Sequence, residues 1–180
     1  MRTAPAIMAV LVAVSVAGCG GSSKSSTTSP GNGASIAVSS DFKPGATISR
    51  AHTCDGRDVS PPVHATGLPG GTSEVVVTMH DPDAPGGNFI HWGVAGLKPA
   101  SGSLLLPAGA SPSGAVLGRN SFGSLGYRGP CPPSGPAHRY VITVYALGQS
   151  SGLRKGFSAE DVSGLPVLGQ GTLTGRYARR

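Results

Sequence analysis

The sequence predicts an all-β domain, mainly strands with one short helix near its C-terminus. Three observations carry this. Apolar runs of strand length recur: Glu74-Val75-Val76-Val77-Thr78-Met79, Phe89 to Ala95 and Arg139 to Leu147. Gly and Pro, 29 and 16 of 180 residues, fall between those runs as turn punctuation. A helix start is legible at Ser158-Ala159-Glu160-Asp161, with a capping serine and acids in the first turn; Gly164 and Pro166 keep that helix short. There are no heptads and no internal repeat.

Taken in order, residues 1–18 read as a secretory signal, excluded from the fold. Arg2 is the positive start. Ala6 to Ala17 is an apolar run broken only by Ser15, far short of the ~20 residues of a membrane-spanning helix. Val16-Ala17-Gly18-Cys19 resembles a bacterial lipobox, in which the cysteine receives lipid. Residues 19–34 are then the lipidated Cys19 and a Gly/Ser/Thr tether with no apolar pattern, spanning roughly 20 Å as a flexible coil. The expected address is the cell membrane, lipid-anchored and outside the cytoplasm. The domain occupies 35–180.

Within it, Ile36 to Val38 and Ala46 to Ile48 are short apolar pieces around an Asp41-Phe42-Lys43-Pro44-Gly45 turn. His52 to Gly56 and Ser60-Pro61-Pro62 are irregular. Glu74 to Met79 has the continuous β-branched pattern of a strand buried on both faces. In the strand from Phe89, strict alternation places His91 with Phe89 and Gly93, opposite Ile90, Trp92 and Val94. Residues 98–125 read mostly as loop around Leu104-Leu105-Leu106, and Thr172 to Tyr177 as a last strand.

The chemistry lies in two stretches, each a Pro/Gly-locked turn beside a histidine and a strand. One is Met79-His80-Asp81-Pro82-Asp83-Ala84-Pro85 followed by His91-Trp92. The other is Gly126-Tyr127-Arg128-Gly129-Pro130-Cys131-Pro132-Pro133 followed by His138-Arg139-Tyr140. If their strands are neighbours, Asp81, His91 and His138 converge at the mouth of the core. A carboxylate fixes an imidazole's tautomer, and the loop from Gly126 to Gly135 is able to turn backbone N–H groups toward an anion. Each residue also has a plainer role: Asp81 as the cap of its own turn, His91 as a satisfied core histidine and His138 as a strand end.

In this order the D-P-D-A-P turn, the H-W pair, G-Y-x-G-P-C-P-P and H-R-Y resemble the phosphatidylethanolamine-binding protein family, in its bacterial Raf kinase inhibitor-like branch. The resemblance covers roughly residues 35–178. It implies a sandwich of two antiparallel sheets with Greek-key-like connections. It also implies an anion pocket lined by Asp81, His91 and His138, with Tyr140 and Pro132 as further wall positions. The partner so implied is a small anionic ligand or a phospholipid head group. Relatives commonly carry a tryptophan after Ser-Pro-Pro, where this chain has Val63-His64-Ala65. Once Cys19 carries lipid, Cys54 and Cys131 remain as an even pair in an oxidising setting, which predicts a disulfide.

Other functions fit less well. The net charge of +6 comes from scattered residues, with no basic stripe interleaved with aromatics, which argues against nucleic acid. Asp81, Asp83, His91 and His138 are acceptable metal ligands, yet no H-x-x-x-H or C-x-x-C spacing is present, so no metal or cofactor is expected. No G-x-S-x-G elbow exists, and nothing marks Ser121 or Ser124 as activated, so an enzyme is not expected. The alternative is a protein-interaction module inhibiting a protease or kinase, though the residues point to no particular protein partner.

Overall fold

The computed structural model describes Met1 and residues 34–179. The expected signal, Cys19 and all of the tether except Ala34 lie outside the described residues. The strands are β1 (Ala34–Ser35), β2 (Ala37–Ser39), β3 (Val63–Thr66), β4 (Glu74–Asp81), β5 (Phe89–Leu97), β6 (Ser103–Leu106), β7 (Val116–Leu117), β8 (His138–Leu147) and β9 (Val167–Tyr177). The helix α1 (Ala159–Ser163) precedes β9, and a single 3-10 turn spans Arg50–His52. Ala34, the last residue of the expected tether, belongs to β1.

A six-stranded sheet, in the order β1-β9-β8-β4-β5-β7, faces a three-stranded sheet, β2-β3-β6. Pairing is antiparallel except for β1, which runs parallel to β9 along the edge. The main core fills the space between the sheets with Val75, Val77, Met79, Trp92, Val94, Tyr140, Ile142 and Val144 from the large sheet and Val63, Ala65, Leu104 and Leu106 from the small one. Val63 and Ala65 are therefore core residues of β3, and the missing tryptophan opens no wall of the site described below. Fully burying one such aliphatic side chain contributes about 1.5–3 kcal/mol.

β4 is buried on both faces because α1 and its flanking loops cover the outer side. Val76 packs there with Ala95, Leu147, Phe157 and Val162. Ser158 caps α1 by accepting the Asp161 N–H, and the Asp161 carboxylate accepts the Ser158 N–H in return.

β9 extends five residues further toward its N-terminus than its sequence predicts. Gly169 and Gly171 read as breakers there, but both lie where another backbone passes close by. A Cβ on Gly169 would sit 2.4 Å from the Ala34 carbonyl oxygen, and one on Gly171 2.0 Å from that of Ile36. Only glycine lets the N-terminal strands lie so close.

Candidate functional site

β4 delivers Asp81 to the rim of the core, where its carboxylate has two tasks. Oδ1 accepts the Asp83 N–H at 2.8 Å, closing the turn, while Oδ2 accepts Nδ1–H of His138 at 2.8 Å. The capping role and the imidazole-orienting role hold together. Asp83 fastens the same turn to β8. Its carboxylate takes the Arg139 N–H at 2.8 Å and the guanidinium at 2.6 and 2.9 Å. Those bonds from Arg139 hold the Asp83 carboxyl well below the usual carboxylate range.

His91 departs from strict alternation. Met79 pairs with Trp92, but His80 pairs with Ile90, so His91 is the extra residue of a β-bulge. The bulge places Phe89 and His91 on the side of Trp92, while Gly93 faces Phe157 on the other. The expected alternation thus holds for Phe89 and fails for Gly93, Trp92 and Val94, because a bulge shifts the period by one.

The His91 ring is buried at 2% exposure and lies edge-on to Tyr140, centroids 5.2 Å apart. Its Nδ1–H donates to the Arg128 carbonyl at 2.7 Å, and the Arg128 N–H donates back to the His91 carbonyl at 2.9 Å. Burial pushes the imidazole pKa down, against the pull of the Arg128 carbonyl and the Asp81 carboxylate. Asp81 therefore does not hold this ring charged: desolvation outweighs attraction. Tyr140 is fully buried, and burial raises its pKa, so the phenol keeps its proton. Its hydroxyl is the one buried side-chain polar atom without a partner at hydrogen-bond geometry among the described residues. The Asp81 carboxylate lies close by, its two oxygens already engaged by the Asp83 N–H and His138, and adds to the rise in the phenol's pKa.

The loop from Gly126 to Gly135 is stiff, and the first part of it turns its amides inward to the protein rather than toward the cavity. The N–H groups of Gly126, Arg128 and Gly129 are spent on Gly118 O, His91 O and Asp58 Oδ1, and Pro130, Pro132 and Pro133 have none. Tyr127 donates its hydroxyl to the His52 carbonyl at 2.5 Å. Cys54 and Cys131 are joined as a disulfide, Cα atoms 5.4 Å apart, and the Cys54 N–H donates to Pro130 O.

These pieces enclose a cavity of about 240 Å³. All five expected wall residues line it: Asp81, His91, Pro132, His138 and Tyr140. So do Ala84, Pro85, Cys131 and Pro133 of the same two stretches, Phe89 of the His91 face, and Phe122, which sequence reasoning missed. Phe122 had one signal, an aromatic alone in a Ser/Gly loop; it packs edge-on against Phe89 at 4.8 Å, with the Arg128 guanidinium 5.3 Å above its ring. Ser121 and Ser124 stay outside the lining, accepting the Ile90 N–H and bonding Asn120 respectively. His80 is half-buried and His64 exposed, both away from the cavity. Among the described residues, no three His, Cys, Asp or Glu side chains are grouped to hold a metal ion.

A larger groove of about 520 Å³ runs past Ile48, Arg50, Asp55 and Tyr177. It holds no imidazole, and its carboxylate is already engaged by the Tyr177 hydroxyl at 2.6 Å. Size does not select it.

Comparison with known proteins agrees with the fold. The family profile described as "Phosphatidylethanolamine-binding protein" matches residues 38–178. A UPF0098 protein of Methanothermobacter thermautotrophicus is 43% identical over 138 residues, 73% of this chain and 91% of that one. A protein of Mycobacterium tuberculosis named "Putative lipoprotein LppC" is 35% identical over 163 residues, 81% and 80% of the two chains. The crystal structure of Escherichia coli YbcL, described as a member of the mammalian PEBP family, superposes with a TM-score of 0.73 at 31% identity. That match covers 82% of this chain and all of YbcL. The two-sheet architecture and the matched span together place this chain in the phosphatidylethanolamine-binding protein family.

Proposed function

We propose that the chain is a binding protein whose cavity takes a small anionic ligand of phosphate or phospholipid head-group type. The observation that carries this is the Tyr140 hydroxyl, buried, protonated and unpaired on the cavity wall. Leaving such a donor unmet costs about 1–3 kcal/mol, and a ligand oxygen removes that cost. His138 adds to it. With Nδ1 held by Asp81, its second nitrogen is left for the cavity, and a protonated ring there donates to an anion. Binding is the reading, rather than turnover, because neither loop serine lines the cavity and, among the described residues, no imidazole pairs with a hydroxyl.

Calorimetric titration with inorganic phosphate tests this. His138→Ala removes a charge-assisted bond and should weaken binding at least tenfold, about 1.5–3 kcal/mol, with the fold intact. Equal affinities with both proteins folded would place the site elsewhere.

We further propose that the domain hangs from a lipidated Cys19 on the outer side of the membrane, supported by the lipobox-like Val16-Ala17-Gly18-Cys19 and the likeness to a protein named as a lipoprotein. Fatty-acid labelling should be lost in Cys19→Ser; unchanged labelling would sink the anchor.

A further inference from the structure

Resting on the anion-pocket reading, we propose that the preferred ligand brings a hydrogen of its own to His91: a phosphomonoester bearing P–OH, selected over a phosphodiester that carries no donor. The argument starts from one distance. Nδ1 of His91 lies 2.7 Å from the Arg128 carbonyl, and a carbonyl oxygen only accepts, so the ring hydrogen sits on Nδ1. In the neutral ring Nε2 is then a bare acceptor. No hydrogen bond within 3.5 Å joins Nε2 to a described residue, although the Gly129 carbonyl also lies near the ring, and the ring lines the cavity.

A second proton on this ring is disfavoured where it sits. The imidazole is 2% exposed and ringed by Phe89, Phe122 and Tyr140 at 5.2 to 5.6 Å. The charged or titratable groups facing it are Asp81 from β4, His138 and Tyr140 from β8, and Arg128 and Asp58 at the Gly126 loop. Both Asp81 oxygens already accept hydrogen bonds, from Asp83 and His138, and Asp58 accepts one from Gly129.

The cavity therefore sets an acceptor, His91 Nε2, close to a donor, the Tyr140 hydroxyl. A phosphoryl group with acceptor oxygens alone satisfies the tyrosine and sets a lone pair against the lone pair of Nε2. A P–OH satisfies both. Sites that hydrogen-bond a ligand hydroxyl reject the analogue lacking it, because the acceptor facing the cavity is left without a donor once the ligand has displaced water.

Methyl phosphate and dimethyl phosphate, titrated calorimetrically into the purified full chain, separate this from simple charge attraction. At about pH 5 each carries one negative charge, since the second ionisation of a phosphomonoester falls near pH 6. The expected result is at least tenfold tighter binding of methyl phosphate. At about pH 8 methyl phosphate is a dianion without P–OH, and its advantage over dimethyl phosphate should shrink; attraction by charge alone makes it grow. Equal binding at pH 5, or an advantage that grows with pH, overturns the inference and leaves the anion pocket standing. If neither ligand binds, the pocket reading falls too. An imidazole ¹⁵N spectrum of the free protein with the His91 hydrogen on Nε2 would also overturn the inference. Phosphatidic acid vesicles, used as competitor, distinguish the sources: displacement of methyl phosphate assigns a lipid head group, and no displacement a soluble monoester.

Discussion

Strand β4 carries a buried carboxylate at each end, and the two ends are finished differently. Glu74 and Asp81 are both 3% exposed. Glu74 is closed. Its oxygens accept from the Gly96 N–H at 3.1 Å, the Ser151 hydroxyl at 2.6 Å and the Ser151 N–H at 3.1 Å, donors that do not titrate near neutral pH. Burial pushes the Glu74 carboxyl up, and these bonds outweigh it, leaving the pKa below its ordinary value. Asp81 is open. One of its two partners is an imidazole, and beside it lie the Tyr140 phenol and the cavity. A buried charge saturated by fixed donors is a staple for the loop it holds. One shared with a titratable group beside unspent polar atoms is prepared for a ligand.

The histidines repeat the contrast. His52 is 3% exposed, with Nδ1 2.9 Å from the Val59 carbonyl and Nε2 2.8 Å from Asp41, so both nitrogens are used inside the protein. His138 has the same 2.8 Å contact to an aspartate, but only one nitrogen engaged among the described residues. An Asp–His pair alone does not mark a site; the second nitrogen does.

The largest test of this comparison is the covalent link. The open end leaves the Tyr140 hydroxyl and the second nitrogens of His91 and His138 outside its internal bonds, so the Cys54–Cys131 bridge should add to its rigidity. Replacing both cysteines by serine releases a cross-link across 77 positions and should cost about 4–5 kcal/mol in the chain-entropy model. Thermal unfolding measures it, and an unchanged Tm breaks the idea. Next in size is the closed end. Glu74→Leu strands the Gly96 and Ser151 donors and should cost about 3 kcal/mol, with phosphate affinity unchanged. A loss of affinity there would show that the two ends are coupled.

Tyr140→Phe sharpens the contrast by moving two quantities in opposite directions. Deleting an unpaired buried hydroxyl should raise stability by about 1 kcal/mol, while phosphate binding weakens. A less stable variant would mean that the hydroxyl has an internal partner. The smallest effect is in pH. Burial lowers the pKa of His80 and of His91, so the unfolded chain takes up protons first. Stability should fall as pH drops below about 6.5 and level off once the folded rings protonate. Glu74 acts further into acid. Its contribution is present above the ordinary carboxyl value and is lost as pH falls through its depressed folded pKa. His91→Phe should flatten the first phase only, as read from denaturant unfolding at several pH values.

Much of this protein was decided locally, and local features are what a sequence displays. β-branched runs made β4, β5 and β8 legible, because a strand buried on both faces has no polar position to vary. Ser158, Gly164 and Pro166 set the helix because caps and breakers act within one turn. Asp81, Pro132, His138 and Tyr140 stood out because turn chemistry beside a strand fixes where a side chain emerges. What the tertiary structure alone decided depends on neighbours distant in sequence. The bulge at His91 arises from its register with β4, and no pattern within β5 encodes it. The glycines of β9 resembled breakers until another backbone lay against them. Three of the loop amides expected to face a ligand, those of Gly126, Arg128 and Gly129, are consumed by Gly118, His91 and Asp58, partners from other segments of the chain. Which polar groups are left over, and so what the cavity is able to hold, is a property of the completed hydrogen-bond ledger. That ledger closes only when the chain has folded.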